Sequence, residues 1–352
     1  MSVDNMTYDF ELGKSGRTLV RDIMEVKEGD NVVITADTNS NEEVVKATAA
    51  EVFSAGGKPM VVWNATPKGV GKAADDMLPQ KTLAGALKEA DVWIEFNEQW
   101  LLYSTVFDKT MEENHKIRYI CLVEMNPDMM VRTIGRVDIP KLAKFLKIVG
   151  KKTENAKKIK VTSPGGTDIE FENHPERTVS IRTGEVVEGV AAMMPGQISW
   201  APKFETINGK IVFDGSLVPP IGLLDNPIEL TIEKGKIIDI AGGREAQQFK
   251  NWLESFDDEQ MFRLAHMAYG FNPGAKLTGN IVEDERIWGG TEWGIGNVGS
   301  MHMDEREGGI DGASHCDGIC VNSSVWLDGE QLLDEGKIVN FPELIELEKE
   351  LL

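Results

Sequence analysis

Cysteine is scarce in this 352-residue chain: only Cys121, Cys316 and Cys320 are present. Three thiols cannot build a disulfide framework, and no pair of Cys pairs stands at zinc-ribbon spacing. The apolar core must therefore hold the fold, in a reducing compartment. Long apolar runs are missing too, since nothing approaches the roughly 20 residues needed to span a bilayer. Met1-Ser2-Val3-Asp4-Asn5 has neither the basic stretch nor the apolar segment of a secretory leader. Cytoplasmic residence without a membrane partner is expected. Positive charge is also short: 37 Lys and Arg face 58 Asp and Glu, a net charge of −21. Phosphate backbones need clustered Lys and Arg, so a nucleic-acid partner is excluded.

What remains is a globular composition, 41% hydrophobic and 27% charged, in a chain long enough for two domains. The first part alternates strand and helix signals. Asn31–Asp37 reads as a buried strand, and Asn41 caps a helix to Ser54 with Glu42 and Glu43 in its first turn. Further strands follow at 59–63, 91–96 and 118–123, with helices between them. Such βα units imply a parallel sheet covered by helices. A Lys-rich helix spans about 138–158, after which strands alternate and Gly turns take over. Asn208-Gly209 and the Lys234-Gly235 region both read as hairpin turns. A helix is expected near 244–256, and a last one at 341–352 capped by Asn340. The fold class expected is α/β followed by β-rich: an α/β domain over 1–155 and a mostly antiparallel β domain with a metal site over 156–352.

Of the five histidines, His115 and His174 sit in polar helix-end and turn contexts and read as solvated. His266, His302 and His315 fall in the last 90 or so residues. In a strand, residues i and i+2 leave the same face with Cα atoms about 6.5 Å apart. In Ala313-Ser314-His315-Cys316-Asp317-Gly318, His315 and Asp317 therefore converge while Cys316 points away. With His266 they supply two imidazoles and a carboxylate, the ligand set of non-haem Fe(II) oxygenases. A surface strand with two polar side chains is the plain alternative. Glu292, between Trp288 and Trp293, is a further candidate beside the metal; a solvated strand edge is its plain alternative. Gly294-Ile295-Gly296-Asn297-Val298-Gly299 matches the dinucleotide spacing, but a polar loop follows it where a helix is required. Its glycines instead bring backbone close to a ligand or a partner strand. Neither a Gly-x-Ser-x-Gly elbow nor a His-Glu-x-x-His helix is present.

Several blocks share one order: Asn272-Pro273-Gly274-Ala275, Glu283-Asp284-Glu285, Gly289-Gly290-Thr291-Glu292-Trp293-Gly294-Ile295-Gly296 and His315-Cys316-Asp317-Gly318. Pro195-Gly196-Gln197, Ala201-Pro202 and the 208–215 segment agree with it. The order resembles the aminopeptidase T (thermophilic leucyl aminopeptidase) superfamily over essentially the whole chain. The resemblance implies two-metal peptidases with glutamates where this chain has Gln197 and His266, and a histidine where it has Glu292. A neutral amide is a poor ligand for two close cations. These departures resemble the branch containing 2,5-dihydroxypyridine 5,6-dioxygenase. That branch implies an extradiol-type enzyme with Fe(II) on His266, His315 and Asp317, taking a small N-heterocycle and O2; a homo-oligomer is expected because most cytosolic enzymes of this kind are symmetric assemblies. It also implies a histidine base where Leu101-Leu102-Tyr103-Ser104 places Tyr103. A phenol of ordinary pKa, about 10, is a poor base at neutral pH. Tyr103 is then expected to orient the ring, with Glu292 and His302 as candidate bases and Ser104 and Asn272 as substrate contacts. The rivals are a metallo-aminopeptidase or amidase using Zn, Co or Mn, and a metal-free relative on the same scaffold.

Overall fold

The computed structural model describes residues 3–298 and 309–352. It divides into two compact units: Met1–Ile139 with Gly184–Pro195, and Pro140–Thr183 with Gly196–Leu352. The expected boundary at 155 instead lies at the end of a helix whose body belongs to the second unit. A return segment, 184–195, completes the first. Among the described residues, no helix is long and apolar enough to cross a membrane.

The first unit opens with α1 (Val3–Arg17), a helix the sequence pattern did not announce. Then follow β1 (Asn31–Asp37), α2 (Glu42–Ser54), β2 (Lys58–Asn64), α3 (Gln80–Lys88), β3 (Val92–Glu95), α4 (Thr105–Glu113), β4 (Arg118–Cys121) and the short α5 (Pro127–Met130). With β8 (Ala191–Met193) the strands form a parallel sheet in the order β2-β1-β3-β4-β8. Near-continuous apolar runs explain why: Val32, Val33, Ile34, Val92, Trp93, Ile94, Tyr119 and Ile120 are all buried, as strands covered on both faces require. Asn41 caps α2 as expected, its side chain accepting from the backbone N–H groups of Glu43 and Val44.

The second unit takes in α6 (Ile139–Asn155) from Pro140 onward. An eight-stranded sheet includes β5 (Lys158–Thr162), β6 (Asp168–Glu172), β10 (Asn208–Phe213), β13 (Ile228–Glu233), β14 (Lys236–Gly242) and β18 (Ser324–Leu327). The other sheet has seven strands. Its β9 (Gln197–Trp200), β15 (Leu264–Gly270), β16 (Thr291–Gly296) and β17 (His315–Cys320) lie side by side. The two sheets meet through aromatics: Phe171 of β6 packs edge-on against Trp293 of β16 at 5.7 Å and also meets Trp200 of β9. Trp293 and Trp200 leave their strands on one face, so Glu292, Gly294, Gln197 and Ser199 line the other.

Two local readings need correction. Asn208-Gly209 is not a hairpin turn but the start of β10, which pairs with both β6 and β13. Glycine is required there because a Cβ would lie 2.3 Å from the Asp168 carbonyl oxygen. The β13–β14 hairpin does turn at Lys234-Gly235, with both residues at positive φ, as a type I′ turn demands. Asn340 does not cap the last helix, α9 (Pro342–Leu351). It stands at φ 61 and donates its amide to the Gln331 carbonyl, while Phe341 occupies the cap position ahead of Pro342.

Candidate metal centre

Strand register assembles the site. Gly294 of β16 lies opposite His266 of β15 on one side and Asp317 of β17 on the other. Asp317, Gly294 and His266 thus form a row across three strands with no side chain in the middle. His315 lies two residues before Asp317, on the same face. The glycine is a steric requirement: a Cβ there would meet His266 Cε1 and Nδ1 at 2.3 Å and His315 Cε1 at 2.9 Å. The two imidazoles stack over the gap with ring centroids 5.1 Å apart and planes 12° from parallel. The dinucleotide-like glycine pattern is therefore a seat for two histidines.

The ligand atoms of His266, His315 and Asp317 lie within 4.8 Å of one another, a group able to hold a metal ion. His315 Nε2 is 2.9 Å from Asp317 Oδ1, and His266 Nε2 is 3.5 Å from the same oxygen. His315 Nδ1 donates to the Asn297 carbonyl at 2.6 Å, which leaves the Nε2 lone pair for a cation. Such an outer hydrogen bond fixes the tautomer of a metal-ligating histidine. Burial works against charge on Asp317, yet the neighbouring His315 and His266 outweigh it and hold its carboxyl at about 2. Two imidazole nitrogens and an ionised carboxylate suit a divalent transition metal.

Glu292 is fully buried one step along β16, with Oε1 2.5 Å from His266 Nε2. Burial, followed by the charges of Asp317 and Glu285, raises its pKa well above the ordinary carboxyl range. It is not a solvated strand edge. Gln197 Nε2 donates to Glu292 Oε2 at 2.8 Å and to Glu285 Oε2 at 2.7 Å, and Glu285 pairs with the buried Arg286. The acidic run at 283–285 divides by role. Glu283 and Asp284, in α8 (Ile281–Asp284), accept from the backbone N–H groups of Lys276 and Thr278 and so fasten that loop. Glu285 alone turns to Gln197.

The remaining sequence candidates have other surroundings. Ser104 is buried as the cap of α4, its Oγ accepting from the Phe107 N–H at 3.2 Å. Asn272 is buried too, its Oδ1 accepting from the Gly274 N–H at 2.9 Å to close a turn. Tyr103 belongs to the first unit. It stands at φ 66 just before α4, 40% exposed, with its ring edge-on to Phe107 at 6.0 Å. His302 lies outside the described residues. The sequence reading did not single out Glu285 by itself or Gly294; cross-strand register places Gly294, and the end of α8 brings Glu285 to Gln197.

Comparison with known proteins gives the family and the fold. The family model described as 2,5-dihydroxypyridine 5,6-dioxygenase matches residues 19–340. A curated 2,5-dihydroxypyridine 5,6-dioxygenase from Pseudomonas putida is 31% identical over 85 residues, a stretch spanning 24% of each chain. The solved structure of 2,5-dihydroxypyridine dioxygenase from Pseudomonas putida superposes with a TM-score of 0.77 at 18% identity, covering 96% of this chain and 99% of that one. Aminopeptidase T (AmpT) from Thermus thermophilus gives 0.67 at 13% identity, covering 94% and 100%. At such identities the two structures establish a shared fold, and the family match over most of the chain establishes descent. The chain belongs to the 2,5-dihydroxypyridine 5,6-dioxygenase family.

Proposed function

We propose that this protein is an iron(II)-dependent dioxygenase that opens the ring of a hydroxylated N-heterocycle of the 2,5-dihydroxypyridine kind. The donor set carries the reading: His266, His315 and Asp317 converge on one face of the sheet, with His315 fixed in the ligating tautomer. These three residues would hold the ion, and three protein donors would leave it able to take a chelating substrate and O2. Iron(II), when bound, would supply the redox-active centre at which the two meet.

The side chains supply the rest. Asp317 would offset the ion's charge, and the stacked imidazoles of His266 and His315 would hold it beside Asp317. Glu292 takes up the proton released by a substrate hydroxyl, at Oε1, the carboxylate oxygen nearest His266 Nε2. Gln197 holds Oε2 and so keeps Oε1 aimed. The balanced reaction breaks the bond between ring carbons 5 and 6 and puts one atom of O2 on each, with no other reductant, and Glu292 returns its proton to the opened product. The protein would act on small molecules in the cytoplasm as a symmetric homo-oligomer, the commonest arrangement of such enzymes.

The test is anaerobic purification, loading with Fe(II), and an oxygen-electrode assay with 2,5-dihydroxypyridine and related heterocycles. One O2 consumed per ring opened is expected. Iron-loaded protein that consumes no O2 across the panel would sink the reading. Hydrolysis of aminoacyl amides without O2, with Zn, Co or Mn bound, would favour the peptidase alternative.

A further inference from the structure

We propose that Glu285 is a positioning residue for the reaction: held by Arg286, it fixes which end of the Gln197 carboxamide meets Glu292, and so leaves Glu292 Oε1 for the substrate. The inference rests on the reading of Glu292 as the group that takes up a substrate proton. Four side chains form one run of hydrogen bonds. Arg286 Nη1 donates to Glu285 Oε1 and, at 2.6 Å, to the Val282 carbonyl. Glu285 Oε2 accepts from Gln197 Nε2 at 2.7 Å, and the same nitrogen donates to Glu292 Oε2 at 2.8 Å. The run ends at Glu292 Oε1, 2.5 Å from His266 Nε2.

Glu292 alone does not decide how the amide lies. A carboxylate accepts from the NH2 end and a carboxylic acid donates to the C=O end, so either end would satisfy it. Glu285 does decide, because the guanidinium beside it keeps it an acceptor. Both acids touch the one nitrogen, so the choice made at Glu285 is imposed on Glu292. Gln197 and Arg286 are both buried, which makes a lost partner costly. Glycine brings the parts together. Gln197 lies opposite Gly270 of β15, where a Cβ would stand 2.3 Å from the Ile287 carbonyl oxygen and 2.6 Å from the Arg286 carbonyl carbon. The 286–287 backbone therefore lies directly on that strand, and the Asn272 N–H just beyond it donates to the Arg286 carbonyl at 2.9 Å. Glu285, which closes α8, is thereby carried to the Gln197 side chain.

The experiment compares the unmodified protein with Glu285→Gln, Gln197→Met and the double variant. Glu285→Gln keeps the shape but offers Gln197 an NH2 group where an acceptor stood, and Gln197→Met keeps the length without hydrogen bonds. In metal-free protein isotopically labelled at glutamine nitrogen, the side-chain magnetic resonance signals lost on Gln197→Met substitution are those of Gln197. Their exchange with solvent is expected to quicken by about tenfold or more in Glu285→Gln. In Fe(II)-loaded protein, O2 uptake with 2,5-dihydroxypyridine should show kcat lowered by about tenfold or more in each single variant, with KM and iron content nearly unchanged. The double variant should match Gln197→Met, because Glu285 acts only through the amide. Unchanged exchange in a folded Glu285→Gln protein would overturn the proposal, as would losses in kcat that multiply in the double variant. Should Glu285→Gln not fold, Gln197→Met alone decides, since it leaves Glu285 on Arg286, and an unchanged kcat overturns the proposal. An unmodified iron-loaded protein that consumes no O2 refutes the proposed function instead, and the exchange measurement on metal-free protein then decides the amide's orientation.

Discussion

Gly294→Ala tests the centre with a single methyl group. The added Cβ would stand 2.3 Å from His266 Cε1 and Nδ1 and 2.9 Å from His315 Cε1. Non-bonded carbons settle at about 3.5–4.0 Å. The His266 ring must therefore retreat by about 1.2 Å and the His315 ring by about 0.6 Å. Metal–nitrogen bonds are about 2.0–2.1 Å long and tolerate about 0.2 Å of error. The displacement exceeds that tolerance several-fold, and it acts on two ligands together. Disturbing a mere outer partner of a ligand costs about 10–100-fold in affinity, so a loss of at least about 100-fold is expected, or about 2.7 kcal/mol. Gly294 is not among the glycines at positive φ, so the backbone accepts alanine and the effect is steric. Overpacking should lower stability by about 1–3 kcal/mol while the fold persists. Competition against a chromophoric chelator under anaerobic conditions measures the affinity, with circular dichroism as the control. A folded Gly294→Ala protein whose metal affinity stays within about threefold of the unmodified protein would refute the argument.

Four further outcomes are expected. His315→Ala and Asp317→Ala should each abolish metal uptake at micromolar metal, measured by elemental analysis; full occupancy in either would remove that residue from the ligand set. Glu292→Gln keeps the shape but cannot take up a proton, so ring opening should slow by about 10²–10⁴-fold with iron still bound, measured by O2 uptake. Burial raises Glu95 to about 7 in the native state against 4.5 ordinarily, even though its oxygens accept from Tyr119 and Leu101. The native state then holds a proton that the unfolded chain has lost, so the contribution of Glu95 is full below pH 4.5 and about 3 kcal/mol of it is lost as pH rises through 7. Urea titrations between pH 4 and 8 should show that slope, reduced in Glu95→Gln; an unchanged slope would refute the assignment. Asn41→Ala should cost about 1 kcal/mol through loss of the α2 cap, and a change within error would show the cap to be idle.

The sequence carried what depends on local pattern. Continuous apolar runs such as Val32-Val33-Ile34 mark strands buried on both faces, and Asn41 ahead of Glu42 and Glu43 marks a helix start. The two-residue repeat that puts His315 and Asp317 on one face is equally local. Those signals were legible because period and capping chemistry act over a few residues. Where a local signal had two uses it misled: Asn208-Gly209 serves close strand approach rather than a turn, and Asn340 reaches for Gln331 rather than a helix N–H. Only the tertiary structure decided the row Asp317–Gly294–His266, because register joins strands separated by tens of residues. The same holds for Gln197, which reads in sequence only as a missing carboxylate. In the fold its nitrogen meets Glu285, 88 residues away, and Glu292, 95 residues away. The residue types of the centre were written in the chain, but which of them meet was set by pairing across the sheet.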